Sequence, residues 1–210
     1  MTNINRYIGG QNVIFGWGWA ILFLLFSCSD KDEPYPSVVT EFSDVISDAA
    51  GRLHSFTTDR DQTFRITNDL TGYEPNSVYR AVCGFVPQPD STAVVYQLLG
   101  AWYLRDSTNH VPHCDPTEVL SVWRTRRFLN MQLVPRTQGG RQYWGFMVDS
   151  TQTGHVWLSL YHNQNGDEAS YSTNVYASLP LDSVPDLQTG DSLSLSIQTF
   201  EGVKTWKWQY

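Results

Sequence analysis

The chain has 210 residues, 41% of them hydrophobic and 14% aromatic, which is enough apolar material for real cores and excludes disorder over most of its length. Its 14 basic and 21 acidic residues leave a formal net charge of −7. A surface of that sign repels phosphate backbones and anionic lipid head groups, so nucleic acid is not an expected partner.

Met1 to Gln11 is polar with one charge, Arg6, and is followed by an apolar run, Val13 to Phe26. At about fourteen residues the run has the length of a signal-peptide core and falls short of a spanning helix. Gly16 and Gly18 weaken it further as a span. Residues 1–27 therefore read as a cleaved export signal, with an uncut membrane anchor as the alternative that length disfavours. Leu25, Ser27 and Cys28 resemble the bacterial lipobox, with Phe26 bulkier than usual at its variable second position. That resemblance implies that Cys28 begins the mature protein, with a diacylglyceryl group on its thiol and a third acyl chain on its amine. Two or more acyl chains anchor a protein stably where one does not, so the expected state is tethered to a membrane through lipid, without spanning it. Residues 1–27 hold Arg6 and no acid; without them 13 basic residues face 21 acidic ones, a net charge of −8. Residues 28–36 read as an acidic tether, whose last eight residues reach at most about 28 Å when extended.

From Ser37 the signal is β almost everywhere, and an all-β fold class follows. Val38, Phe42, Val45 and Ile46 mark a first strand whose phase slips between Phe42 and Val45, which suggests a bulge. Arg52 to Thr58, Thr63 to Thr67, Ser77 to Val86 and Thr92 to Leu104 supply four more, with Asp59-Arg60-Asp61 and Pro87 to Asp90 as turns. Five strands, the first long and bent, fit an OB-like five-stranded barrel over residues 37–108, though half a sandwich has the same periodicity. The polar stretch Asp106 to Asp115 is the expected boundary. Beyond it six strands are predicted over Ser121–Val134, Arg141–Val148, His155–His162, Ser170–Leu179, Ser192–Phe200 and Val203–Tyr210, an antiparallel β-sandwich over residues 112–210. Trp206, Trp208 and Tyr210 share one face of the last strand. A short helical turn over Pro116 to Leu120 is the one exception to strand.

The opening Tyr35-Pro36-Ser37-Val38-Val39-Thr40, the middle Val122-Trp123 with Leu129-Asn130-Met131-Gln132-Leu133, the hairpin Leu160 to Asp167 and the ending Val203-Lys204-Thr205-Trp206 resemble the NigD-like lipoproteins of Bacteroides-type bacteria. The resemblance spans the mature chain in order. It implies an N-terminal OB-like domain, a C-terminal β-sandwich and an association with bacteriocin immunity, which is not a mechanism. In the same bacterial group, acids and a lysine after the lipidated cysteine direct lipoproteins to the cell surface, and Asp30, Lys31, Asp32 and Glu33 look like that signal. A solvated acidic linker is the plainer reading. Asp-Ser followed by Thr, Val or Leu resembles the O-glycosylation motif of these bacteria, making Ser91, Ser107, Ser150, Ser183 and Ser192 candidate acceptors; Asp and Ser also favour turns for their own reasons.

Catalytic chemistry finds little footing. The sequence has no Gly-x-Ser-x-Gly elbow, no Gly-rich phosphate loop and no histidine in a recognisable triad context, so no catalytic residue or cofactor is assigned and the chain is read as a non-enzyme. His110, His113, Cys114 and Asp115 could offer donors to zinc, but no second paired cluster accompanies them, and no metal is assigned. Asn163, Asn165 and Asp167 read as a hairpin turn in preference to a calcium loop. Cys83 and Cys114 either pair, in a compartment that tolerates disulfides, or serve as small hydrophobes. The expected function is non-enzymatic binding, of a protein in the manner of bacteriocin immunity or, alternatively, of a glycan as an accessory to a surface nutrient-uptake system.

Overall fold

β1 (Val39–Ser47), β2 (Leu53–Thr58), β3 (Thr63–Ile66), β4 (Val78–Gln88) and β5 (Thr92–Tyr103) follow one another with short turns between most of them. The computed structural model describes residues 37–210; the expected leader, Cys28 and the tether with Asp30, Lys31, Asp32 and Glu33 lie outside the described residues. The pairing order is β3-β2-β1-β4-β5, and β3 also pairs in parallel with β5 at Arg65–Thr92 and Ile66–Ala93, so the five strands close on themselves. Inside that ring lies a first core of Val45, Leu53, Phe56, Ala81, Cys83 and Phe85 with their neighbours. Phe56 packs edge-on to Phe85 at 4.8 Å and stacks on Phe64 at 5.3 Å.

The remaining elements are β6 (Glu118–Arg124), β7 (Phe128–Val134), β8 (Arg136–Thr137), β9 (Tyr143–Gln152), β10 (His155–Asn163), β11 (Tyr171–Ser172), β12 (Val175–Pro180), a 3-10 turn (Leu181–Ser183), β13 (Ser192–Thr199) and β14 (Gly202–Gln209). Strand β12 runs parallel to β5 and antiparallel to β7. It therefore extends the first sheet to eight strands, ending β5-β12-β7-β6, and a four-stranded sheet β14-β13-β10-β9 faces it. The second core fills the space between with Leu129, Met131, Ala177 and Leu179 from one sheet and Phe146, Leu158, Leu160, Leu195 and Ile197 from the other. The all-β class read from the sequence is the class that folds.

Local differences from the sequence reading have physical reasons. The phase slip in β1 is no bulge, because β1 pairs with β4 without interruption from Val39 to Ile46 and its register shift against β2 comes later, at Ile46/Ser47. Phe42 and Val45 are both buried because both faces of β1 are covered, Val45 by the first core and Phe42 by Trp123 and Tyr176. The run Ser121–Val134 is two strands, turned at Thr125 to Arg127, where the Phe128 N–H donates to the Thr125 hydroxyl and the Thr125 N–H to the Phe128 carbonyl. No Gly, Asn or Pro marks that turn. Ser170–Leu179 likewise divides into β11 and β12, and the expected helical turn at Pro116 to Leu120 instead leads into β6.

Candidate binding cleft between the two cores

Strand alternation places one polar surface between the two cores. On β4, Ala81, Cys83 and Phe85 enter the first core, so Arg80 and Val82 point out of the ring, as Phe42 and Asp44 do on β1. On β7 and β12, Leu129, Met131, Ala177 and Leu179 enter the second core, so Phe128, Asn130, Tyr176 and Ser178 point the opposite way. These two outward faces meet.

Arg80 is the hub of the contact, with its side chain 2% exposed. Its guanidinium donates from Nε to Ser178 Oγ (2.9 Å), from Nη1 to Asp44 Oδ1 (3.1 Å), and from Nη2 to Asp59 Oδ2 (2.7 Å) and Asn130 Oδ1 (3.1 Å). The guanidinium carbon lies 3.8 Å from the centre of the Phe128 ring and 5.4 Å from that of Phe42, within cation–π range of both. Asn130 Nδ2 also donates to Asp59 Oδ2 at 2.5 Å, and Arg127 Nη2 to Asp44 Oδ2 at 2.8 Å. A buried cation of this kind is held only by excellent geometry, because desolvation offsets most of the Coulomb attraction. Among the described residues, two buried side-chain atoms still lack a hydrogen-bond partner, and both belong to this cluster: Asp59 Oδ1 and Arg127 Nε.

Two cavities open on either side of the hub. The larger, about 580 Å³, is lined by Glu41, Phe42, Asp59, Arg60, Trp123, Tyr176 and neighbouring residues. Its acids are recessed, with 7% exposure for the Asp59 side chain and 13% for Glu41, whereas Arg60 lies 77% exposed with its Nε 3.4 Å from Glu41 Oε1. Trp123, 37% exposed, forms part of the wall. The smaller cavity, about 380 Å³, contains Tyr103, Arg105, Arg127, Phe128 and Asp182. Burial, with the Asp182 and Asp44 carboxylates nearby, raises the Tyr103 phenol above its ordinary value.

The residues singled out from the sequence lie mostly elsewhere. Cys83 is buried in the first core, where desolvation pushes its thiol up to about 11, and Cys114 is exposed. Both are free thiols, so the pairing that the sequence allowed is not made: Cys83 faces into the ring while Cys114 bridges to His162 on β10. Ser91, Ser150 and Ser183 are exposed and Ser192 is half-buried at the start of β13. Ser107 is buried; its hydroxyl donates to the Arg105 carbonyl and lies against Gly145, which leaves no room there for a sugar in the folded chain. His110 and His113 pack edge-on to Tyr161 at 6.1 and 6.0 Å, and the described residues hold no group of three or more His, Cys, Asp or Glu side chains placed for a metal ion.

Asp167 fastens a loop. Its carboxylate accepts from the Thr137 hydroxyl (2.5 Å), the N–H groups of Gln138 and Gly140, and Gln142 Nε2 (2.7 Å), which together hold it at about 2, with the Thr137 bond the largest cause. Gln142 passes the connection to buried His162, whose other ring nitrogen contacts the Asp115 carbonyl and whose ring stacks on Trp144 at 3.8 Å. Trp206, Trp208 and Tyr210 pack against the second core.

Sequence reading assigned no role to Arg80, Asp44, Asn130 or Ser178, and took Asp59 only as part of a turn. The signal was a single arginine inside the otherwise apolar run Val78 to Val82. A charge in a strand expected to be buried calls for partners.

The model of the NigD-like C-terminal beta sandwich domain matches residues 103–210. Among solved structures, a NigD-like immunity protein from Bacteroides caccae is 25% identical, with the likeness covering 83% of this chain and 93% of that one at a TM-score of 0.62. A protein from Parabacteroides distasonis described as toxin-related is 16% identical over 83% and 93% of the two chains (TM-score 0.67). One from Bacteroides fragilis described as a lipoprotein is 12% identical over 83% and 98% (TM-score 0.62). The last two are likenesses of fold alone. No curated protein matches the chain.

Proposed function

The chain belongs to the NigD-like family, and from that premise we propose that it is a lipid-anchored, cell-surface binding protein, without catalytic activity, that holds a protein partner in the manner of an immunity factor. The observation that carries this reading is the cleft between the cores, where aromatic walls and recessed charge offer the anchor pocket that a protein interface uses. Trp206 and Trp208, which a planar glycan platform would have needed outward, pack inward instead. The immunity role of the Bacteroides caccae protein is a property of that protein and supports the reading by likeness.

Deletion of the gene is expected to sensitise cells to bacteriocin-containing supernatants of related strains, with protection restored by the intact chain and not by a Trp123→Ala variant. Unchanged sensitivity, together with a growth defect on polysaccharides, would replace this reading with glycan binding. One surface favours that alternative: on the outer face of the four-stranded sheet, His155 and Trp157 stack at 3.7 Å and 1°, with Ser194 hydrogen-bonded to His155.

In the same reading, residues 1–27 are a cleaved leader, Cys28 carries the lipid, 28–36 are the tether, and the body divides near residues 108–112 into an OB-like part and the sandwich. Cys28→Ala is expected to release the protein from membranes. Asp30, Asp32 and Glu33 changed together to Ala are expected to abolish its accessibility to protease on intact cells; undiminished accessibility removes the surface-export role. Of the Asp-Ser serines, Ser91, Ser150 and Ser183 are the proposed glycan acceptors, and an intact mass equal to lipid plus peptide refutes all three.

A further inference from the structure

We propose that the larger cleft is a receptor for a cationic side chain of the partner protein, and that Arg60, at its mouth, is an internal substitute for that group. This rests on the protein-binding reading above and adds the chemistry that the partner presents. Among the residues that line the cleft the acids are recessed and the arginines stand at the mouth: the Asp59 and Glu41 side chains are 7% and 13% exposed, those of Arg60 and Arg126 77% and 82%. Arg80 beneath bonds Oδ2 of Asp59 and one oxygen of Asp44, whose other oxygen takes Arg127, so the donor still missing is the one for Oδ1 of Asp59. Oδ1 is buried with no donor, and a carboxylate oxygen in that state is costly until something supplies one. A guanidinium or ammonium entering the cleft supplies that donor once the Asp59 carboxylate, which lines the cavity, turns this closed-off oxygen toward it. It also meets the rings of Trp123 and Tyr176, which line the same cavity and favour cations over neutral groups.

Arg60 shows that a guanidinium suits the site. It follows Asp59 at the turn after β2 and reaches Glu41 at 3.4 Å. An exposed ion pair of this length is worth little and is easily exchanged. A partner's arginine or lysine, delivered with the rest of its interface, displaces Arg60 and gains the buried acids. Arg60 is then a competitor, and removing it tightens binding. A purely structural role for the cluster predicts no such gain.

The test uses the full chain in detergent, N-acetyl-arginine N-methylamide as probe, its neutral citrulline counterpart as control, and the indole N–H resonance of Trp123 as reporter, assigned by Trp123→Phe. The arginine probe is expected to shift that resonance, with the citrulline control weaker by roughly tenfold. Arg60→Ala is expected to tighten the probe several-fold. Asp59→Asn and Glu41→Gln are each expected to weaken it; should Asp59→Asn fail to fold, Glu41→Gln alone decides. No shift at the highest soluble probe concentration, equal binding of the citrulline control, or unchanged or weaker binding to Arg60→Ala overturns the proposal. Those outcomes, with gene deletion still sensitising cells, would remove the cationic occupant and leave the protein-binding reading standing.

Discussion

Asp59 and Asp167 are both carboxylates that tie distant segments together, and they are built on different plans. Asp167 is satisfied on both oxygens, by a hydroxyl, two backbone N–H groups and a side-chain amide, all neutral. Asp59 takes a guanidinium and an amide on one oxygen and nothing on the other. The difference teaches how to tell a fastener from a site. A carboxylate with donors on both oxygens holds a loop in place, whereas one with an oxygen left without a donor retains capacity for another.

The contrast can be broken at its strongest point. Arg80→Met keeps the bulk of the hub but leaves Asp44 and Asp59 without their shared cation, and urea unfolding should register a loss of about 3–5 kcal/mol; a loss near zero would mean that the acids rehydrate and that the junction is not sealed. Gly140→Ala attacks the fastener instead. Its new Cβ would stand 2.6 Å from Asp167 Oδ1, and a cost of about 1–3 kcal/mol is expected in the same assay.

Acid titration sharpens the comparison further. Asp167 is held at about 2 against an ordinary 3.8. Its stabilisation is therefore complete above the unfolded value and is lost as pH falls through the folded one. The stability gap between wild type and Asp167→Asn should narrow between about pH 4 and pH 2, and a gap that stays constant with pH would show that the charge is not what fastens the loop. The smallest effect belongs to His162. Burial lowers it from its ordinary 6.5, against the opposing pull of Asp115. The unfolded chain therefore takes up the proton first, and stability declines as pH drops below about 6.5. His162→Gln should flatten that decline in thermal melts between pH 7 and pH 5.

The strands were legible because their period-2 alternation survives in the sequence wherever one face is buried. It misled at β1, where Phe42 and Val45 are buried on opposite faces and the doubled burial imitates a bulge. The turn at Thr125 to Arg127 was invisible because side-chain and backbone hydrogen bonds at Thr125, and not Gly or Pro, close it. The cleft was almost wholly illegible. Its members come from β1, the turn after β2, β4, β6, β7 and β12, and Arg80 reaches Asn130 and Ser178 from far along the chain. Local periodicity carries no record of such meetings. Trp123 and Asn130 had entered the argument only as part of a family resemblance, and their role emerges from what faces them.

The parallel pairing of β12 with β5 also orders events in time. As the chain folds, the ring can close once β5 is complete, yet the edge at Ala101, Trp102 and Tyr103 stays open until β12 arrives. A nascent chain halted between those points presents an unpaired strand beside an uncovered Phe42 and an arginine lacking Ser178. It is sticky and incompletely neutralised until its own later strand reaches it, so the half-made protein is the form most in need of a chaperone's hold.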